Sequence, residues 1–261
     1  GPGRSHVRVQ RTGNGADILV LIDRSASMDE PINRVSVDYA RTEAKNTVAR
    51  RAITRFVEER PNDRFSVMLF GIAPILTMPL TDDHAAIIEA LDATKFGRGL
   101  PDTQMDRGLI AAIEQFDNRP LLARRALVLV SDGGATLDDN ARRRIAGGLA
   151  RNHIALYFVY LRSGLMSGDL STASLAAGSN SPEAQLHRFF LSLHTPYRLF
   201  QASDPDGMAQ AMAEINRQQH FPVSYVEQLP RVDLSRVCYA IALVAAGLLV
   251  VARFAQVRSW Q

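Results

Sequence analysis

Asp23-Arg24-Ser25-Ala26-Ser27 follows the apolar run Ile18–Ile22 (ILVLI), a D-x-S-x-S pattern that places one carboxylate and two hydroxyls within five residues. Hard oxygen donors at such close spacing suit Mg²⁺, Ca²⁺ or Mn²⁺ rather than a soft metal. Taken alone the pattern is equally that of a turn, because Asp and Ser are common turn and N-cap residues. Two further positions add to it: Asp132 ends the apolar run Ala126–Val130 within LVLVSDGG, and Thr103 opens a helical stretch five residues before Gly108. Asp29 and Glu30, close behind the motif, read as solvated loop charges rather than ligands, and Thr136 reads as a helix N-cap.

Other chemistries find less support. A phosphohydrolase of the haloacid-dehalogenase type needs a second acid two positions after its strand-end Asp, and that position is Ser25. Neither G-x-S-x-G nor G-x-x-x-x-G-K-[ST] occurs, which argues against a serine-hydrolase elbow and a nucleotide-binding loop. His187 and His194 lie seven apart with no acid between them, and read as an ordinary helix surface. Cys238 is the only cysteine, so an intrachain disulfide is impossible and a cysteine-built zinc site is not expected.

The elements that must position these residues can be read from the period of the apolar side chains. Continuous apolar runs bounded by polar residues predict buried strands at Ile18–Ile22, Ala126–Val130 and Ile154–Tyr160, with further strands at Arg64–Phe70, Ile72–Met78 and Tyr197–Phe200. Helices are predicted at about Val37–Glu59, Asp82–Leu91, Asp102–Phe116, Asp138–Ala150, Pro182–His194 and Pro205–Gln219, the last with Asp204 as N-cap and Pro at its first turn. Residues 163–182, rich in Ser, Gly and Ala, read as a surface loop. Strands alternating with helices specify an α/β, Rossmann-like, doubly wound and mainly parallel sheet, whose ligands bind beyond the carboxyl ends of the strands.

On such a sheet Asp23, Ser25, Ser27, Thr103 and Asp132 lie on three loops at one edge. This arrangement resembles the von Willebrand factor A domain and its metal-ion-dependent adhesion site, over roughly residues 15–220. The resemblance implies that Ser25 and Ser27 hold a divalent cation through their hydroxyls, that Thr103 binds it directly or through water, and that Asp23 and Asp132 act beside or behind them. It also implies a coordination position left for an Asp or Glu of a protein partner. Arg98-Gly99-Leu100-Pro101 stands before Thr103 where Gly-Thr is usual before the family's threonine.

The chain has 261 residues and a formal charge of +3, but residues 237–261 carry Arg253 and Arg258 and no acid, so the rest is nearly neutral. With 28 arginines, two lysines and no basic stripe interleaved with aromatics, nucleic acid is not an expected partner. From Val237 to Ala252 sixteen residues pass without a charge, and with Phe254 and Ala255 the stretch is long enough to span a bilayer. A buried core helix is the competing reading, and the lack of a polar face speaks for the anchor. The division expected is therefore an N-terminal extension or cleavage scar at 1–14, the A domain at 15–220, a juxtamembrane linker at 221–236, a transmembrane helix at 237–255 and a tail at 256–261. Gly1-Pro2-Gly3 lacks an initiator Met, so an upstream segment could be missing.

An A domain followed by a C-terminal anchor is similar to bacterial membrane-anchored proteins associated with MoxR-type AAA+ ATPases, including aerotolerance-type proteins and methanol dehydrogenase accessory proteins. The resemblance implies a non-enzymatic, metal-dependent adaptor at the inner membrane that helps such an ATPase assemble or activate a client enzyme, with Mg²⁺, Ca²⁺ or Mn²⁺ as cofactor. The flanking arginines do not set the orientation, and the periplasmic side is the expectation for the soluble part. Two other classes stay open: a metal-assisted hydrolase, which needs a titratable group near the ion to activate water, and a structural membrane protein with a vestigial site.

Overall fold

The computed structural model describes residues 8–13, 15–32, 43–94, 103–162, 169–170, 178, 180–219, 223–228, 239–240 and 243–249. The chain divides into two units, residues 13–223 and the two ends, 1–12 with 224–261.

Six strands form the sheet of the larger unit: β2 (Ala16–Asp23), β3 (Arg64–Phe70), β4 (Ile75–Thr81), β5 (Arg124–Ser131), β6 (Ile154–Leu161) and β7 (Tyr197–Ala202). Their order is β4-β3-β2-β5-β6-β7, and every pair is parallel except β3 with β4. The helices are α1 (Lys45–Glu58), α2 (His84–Ala93), α3 (Met105–Glu114), α4 (Asp139–Arg151), α5 (Pro182–Leu191) and α6 (Pro205–Gln219).

β2 is wholly buried because successive side chains enter two different cores. Ile18, Val20 and Ile22 pack with α1, α2 and α6, whereas Leu19 and Leu21 pack with α3, α4 and α5. Among the described residues, three helices on each face make the doubly wound arrangement that the alternation of elements predicts. Each fully enclosed aliphatic side chain contributes about 1.5–3 kcal/mol, so the apolar central strands hold the sheet rigid beneath the loops at its edge.

The elements depart from the sequence expectation where local geometry overrides period. The helix expected from Val37 starts at Lys45: Ala44 is extended and bridges Pro31, and the Lys45 N–H donates to the Glu30 carbonyl at 3.0 Å. Residues 33–42 lie outside the described residues. The strand expected at Ile72–Met78 runs Ile75–Thr81, since residues 71–74 make the reversal into an antiparallel edge strand that accommodates Pro79. Asp138, not Thr136, caps α4, its Oδ1 accepting from Ala141 N at 2.6 Å. Asp204 accepts from Gly207 N at 2.7 Å, as its position before α6 predicts. The loop expected at 163–182 lies largely outside the described residues.

In the smaller unit, β1 (Arg8–Gly13) pairs with β8 (Val223–Gln228) in a two-stranded sheet. Those strands fall in segments that the sequence reading treats as extension and linker. Residues 239–240 and 243–249 are helical, and the rest of the stretch 237–255 lies outside the described residues. Among the described residues no helix is long and apolar enough to cross a membrane.

Candidate metal centre

β2 has β3 on one side and β5 on the other, so the chain's crossovers leave it in opposite directions, and the carboxyl ends of β2 and β5 flank the crevice where ligands of such sheets bind. Asp23 is the last residue of β2, and Asp132 follows the last residue of β5. A single 3-10 turn, Ala26–Asp29, carries Ser27 back over that edge.

Three oxygens meet there. The Ser25 and Ser27 hydroxyls are 3.0 Å apart, and Ser27 Oγ donates to Asp132 Oδ1 at 2.8 Å. Oxygens in adjacent positions around an ion bound at about 2.1 Å in octahedral geometry lie roughly 3 Å from one another, so the Ser25–Ser27 and Ser27–Asp132 separations are those of neighbouring ligands of a Mg²⁺-sized cation.

Asp23 stands behind the trio. It is fully buried, with Oδ1 accepting the Ser25 N–H at 2.8 Å and Oδ2 accepting from the Ser131 hydroxyl at 2.5 Å. Burial pushes its carboxyl above the ordinary carboxylate range. The hydrogen bonds from Ser131 and Ser25 pull it partly back, and the negative charge of Asp132 adds to the rise. With both oxygens engaged, Asp23 holds the motif's backbone turn and the end of β5 together.

Thr103 reaches the same edge on a third segment. It is half-buried and precedes Gln104, whose N–H donates to Gly71 O at 2.8 Å, while Arg24 N donates to the neighbouring Phe70 O, also at 2.8 Å. The end of β3 therefore ties the Thr103 segment and the D-x-S-x-S loop to one place. α3 can approach because Gly108 lacks a side chain: a Cβ there would sit 2.8 Å from Phe70 Cβ.

Sequence reasoning passes over Lys45. Its side chain is completely enclosed, and its ammonium donates to Asp132 Oδ2 at 2.5 Å and to the Ser27 carbonyl at 3.0 Å, with Glu30 Oε2 at 3.8 Å. The available signal was compositional, a lysine in a chain that uses arginine for 28 of its 30 basic residues. Asp29 is likewise no free loop charge: Arg24 Nη1 donates to it at 3.2 Å, and Asn46 donates to the same oxygen. His187 is not an ordinary surface residue. It is buried beside Tyr197, with Nδ1 and the phenol oxygen 2.8 Å apart.

Among the described residues no cluster of three or more His, Cys, Asp or Glu side chains is arranged to hold a metal. What this edge offers instead is hydroxyls backed by two carboxylates. Residues 18–135 match the von Willebrand factor type A domain.

Solved structures share the A-domain fold. The PilB minor pilin from Streptococcus sanguinis superposes with a TM-score of 0.60 at 12% identity, over 80% of this chain and 62% of the pilin, so this chain spans less than two thirds of that protein. An aerotolerance-related membrane protein from Bacteroides fragilis gives 0.52 at 17% identity, over 77% of this chain and 96% of that one. BatB from Bacteroides thetaiotaomicron gives 0.50 at 15%, over 77% and 98%. At these identities the likeness is one of fold. No curated protein matches the sequence.

Proposed function

We propose that this A domain is a non-enzymatic, divalent-cation-dependent protein-binding module. The observation that carries the reading is the Ser25–Ser27–Asp132 oxygen trio at the crevice between the ends of β2 and β5. A bound Mg²⁺, Ca²⁺ or Mn²⁺ would supply Lewis acidity toward a carboxylate oxygen of a partner's Asp or Glu. Ser25 and Ser27 would hold the ion, Asp132 would balance its charge, Thr103 would complete the rim, and Asp23 would keep the hydroxyls in register.

Two features of the edge favour binding over turnover. The acid that touches a hydroxyl of the trio, Asp132, accepts from Ser27 and from the Lys45 ammonium, and Asp23 behind it accepts from the Ser25 N–H and the Ser131 hydroxyl, so both carboxylates are engaged by internal donors rather than placed to take a proton from an attacking water. Past the end of β3, whose Phe70 carbonyl accepts from Arg24 N, the reversal and the start of β4 carry exposed Ile72, Ile75 and Leu76, an apolar border suited to a protein surface.

The same proposal places the chain at a bacterial inner membrane, anchored through residues 237–255. Its support is the uncharged run in the sequence and the exposure of Leu243, Val244, Leu248 and Leu249 on the described helical residues, a face that lipid would cover. A MoxR-type AAA+ ATPase and its client enzyme are the partners proposed, in line with the fold likeness to the aerotolerance-related membrane protein and BatB.

The test is calorimetric titration of the full chain in detergent with Mn²⁺ and Mg²⁺. One ion should bind per chain, and Ser25→Ala should weaken it at least tenfold with an unchanged circular dichroism spectrum. Chelator should release a co-purified ATPase from wild type. A wild-type protein that binds no ion at millimolar concentration would overturn the reading.

A further inference from the structure

A metal site built from two carboxylates and three hydroxyls has no obvious need of a lysine, yet one is built into this one. Lys45 is the first residue of α1, and its side chain lies at zero exposure beneath the 3-10 turn. An ammonium so enclosed must have its charge balanced and its protons accepted. Asp132 Oδ2, the Ser27 carbonyl and, at longer range, Glu30 Oε2 do this. The backbone reinforces the placement, because Lys45 N–H donates to Glu30 O and Ala44 bridges Pro31. Three separate pieces, the turn carrying Ser27, the start of α1 and the loop after β5, thus converge on one nitrogen.

The Asp132 carboxylate is shared. Oδ1 takes the Ser27 hydroxyl that would hold an ion, and Oδ2 takes the ammonium. With Lys45 counted, the enclosed charge of Asp23, Asp132 and Lys45 is one negative rather than two, so the cluster is nearly balanced before a divalent cation arrives. A cation that enters meets a fixed positive charge on the far side of the carboxylate that should balance it.

We propose that Lys45 is the resident cation of this site: it holds the cluster together without a divalent ion and lowers the affinity with which one binds. The second half rests on the metal-binding reading above. The first half does not. The consequence for recognition is that Asp23, Asp132, Lys45 and a bound divalent ion together sum to one positive charge, which favours a carboxylate-bearing partner, while the unloaded loops stay in place.

The experiment uses the full chain in detergent, with Lys45→Gln, Lys45→Met and Lys45→Arg. In EDTA, Lys45→Gln and Lys45→Met should melt several degrees below wild type, because Asp132 is left buried with one donor fewer. Mg²⁺ should return most of that loss in the variants and move wild type little. Calorimetric Mn²⁺ affinity should be at least tenfold tighter in Lys45→Gln than in wild type, with Lys45→Arg, which keeps the charge, showing no such gain. A Lys45→Gln protein that folds only when Mg²⁺ is present would be the strong form of the expected result. Equal melting of wild type and both neutral variants in EDTA overturns the clamp, and an unchanged or weaker Mn²⁺ affinity in Lys45→Gln overturns the competition. If wild type and every variant bind no ion, the metal reading falls with the competition, and the EDTA melts still decide the clamp.

Discussion

Ser131 Oγ donates to Asp23 Oδ2 at 2.5 Å, joining the last residue of β5 to the last residue of β2 across the crevice where the sheet changes winding direction. The hydroxyl is buried, and so is the carboxylate it serves. Removing it leaves a buried charge with one donor fewer, a loss of about 1–3 kcal/mol. Ser131→Ala should therefore lower the unfolding free energy obtained from urea melts by that amount, and it should also weaken Mn²⁺ binding, because Asp23 holds the Ser25 backbone in place. Ser131→Thr, which keeps the hydroxyl, should recover part of the metal affinity. Calorimetry and urea melts on the two variants check both effects.

The loop after Asp132 is packed against the start of α5 with no room for a side chain at one of its two glycines. A Cβ on Gly134 would sit 2.1 Å from Glu183 N and 2.4 Å from Pro182 C, backbone atoms at the first turn of α5 that cannot step aside. A Cβ on Gly133 would meet nothing within 4 Å. Overpacking of this kind costs about 1–3 kcal/mol. Gly134→Ala is expected to lose that much in a urea melt and to weaken metal binding by displacing Asp132, whereas Gly133→Ala should leave both near wild type.

His187 sets a pH dependence. Burial lowers its pKa below the ordinary histidine value of 6.5, so the unfolded chain takes up a proton that the folded chain refuses. Stability is then complete above about 6.5 and falls as the pH drops below that value, until the folded imidazole itself titrates. The melting temperature should decline between pH 7.5 and pH 5.5. His187→Asn, which keeps a polar atom near Tyr197 but does not titrate, should decline measurably less. Equal slopes in the two proteins would remove His187 as the cause.

The strands and helices were legible in the sequence wherever both faces of an element are apolar or one stripe is. ILVLI, ALVLV and IALYFVY are strands, and Pro205–Gln219 is a helix with its Asp204 cap. Boundaries were lost where the cause is a long-range contact: α1 begins eight residues later than its period suggests because its first turn is hydrogen-bonded to Glu30 and follows an extended Ala44. His187 looked like surface because helical spacing does not reveal that Tyr197, ten residues on, folds back to meet it.

What the sequence determined by itself is the position of Asp23, Ser25, Ser27 and Asp132 at the ends of buried strands, because apolar runs and the polar residues that stop them are local facts. Only the tertiary structure decided that Asp23 faces inward to Ser131 and that an enclosed lysine shares Asp132 with Ser27. The reason is physical: a lysine is almost never fully buried unless paired, and nothing along the chain says that α1 will start over the turn after β2. Its burial exists only once the loop, the helix and the end of β5 are packed together.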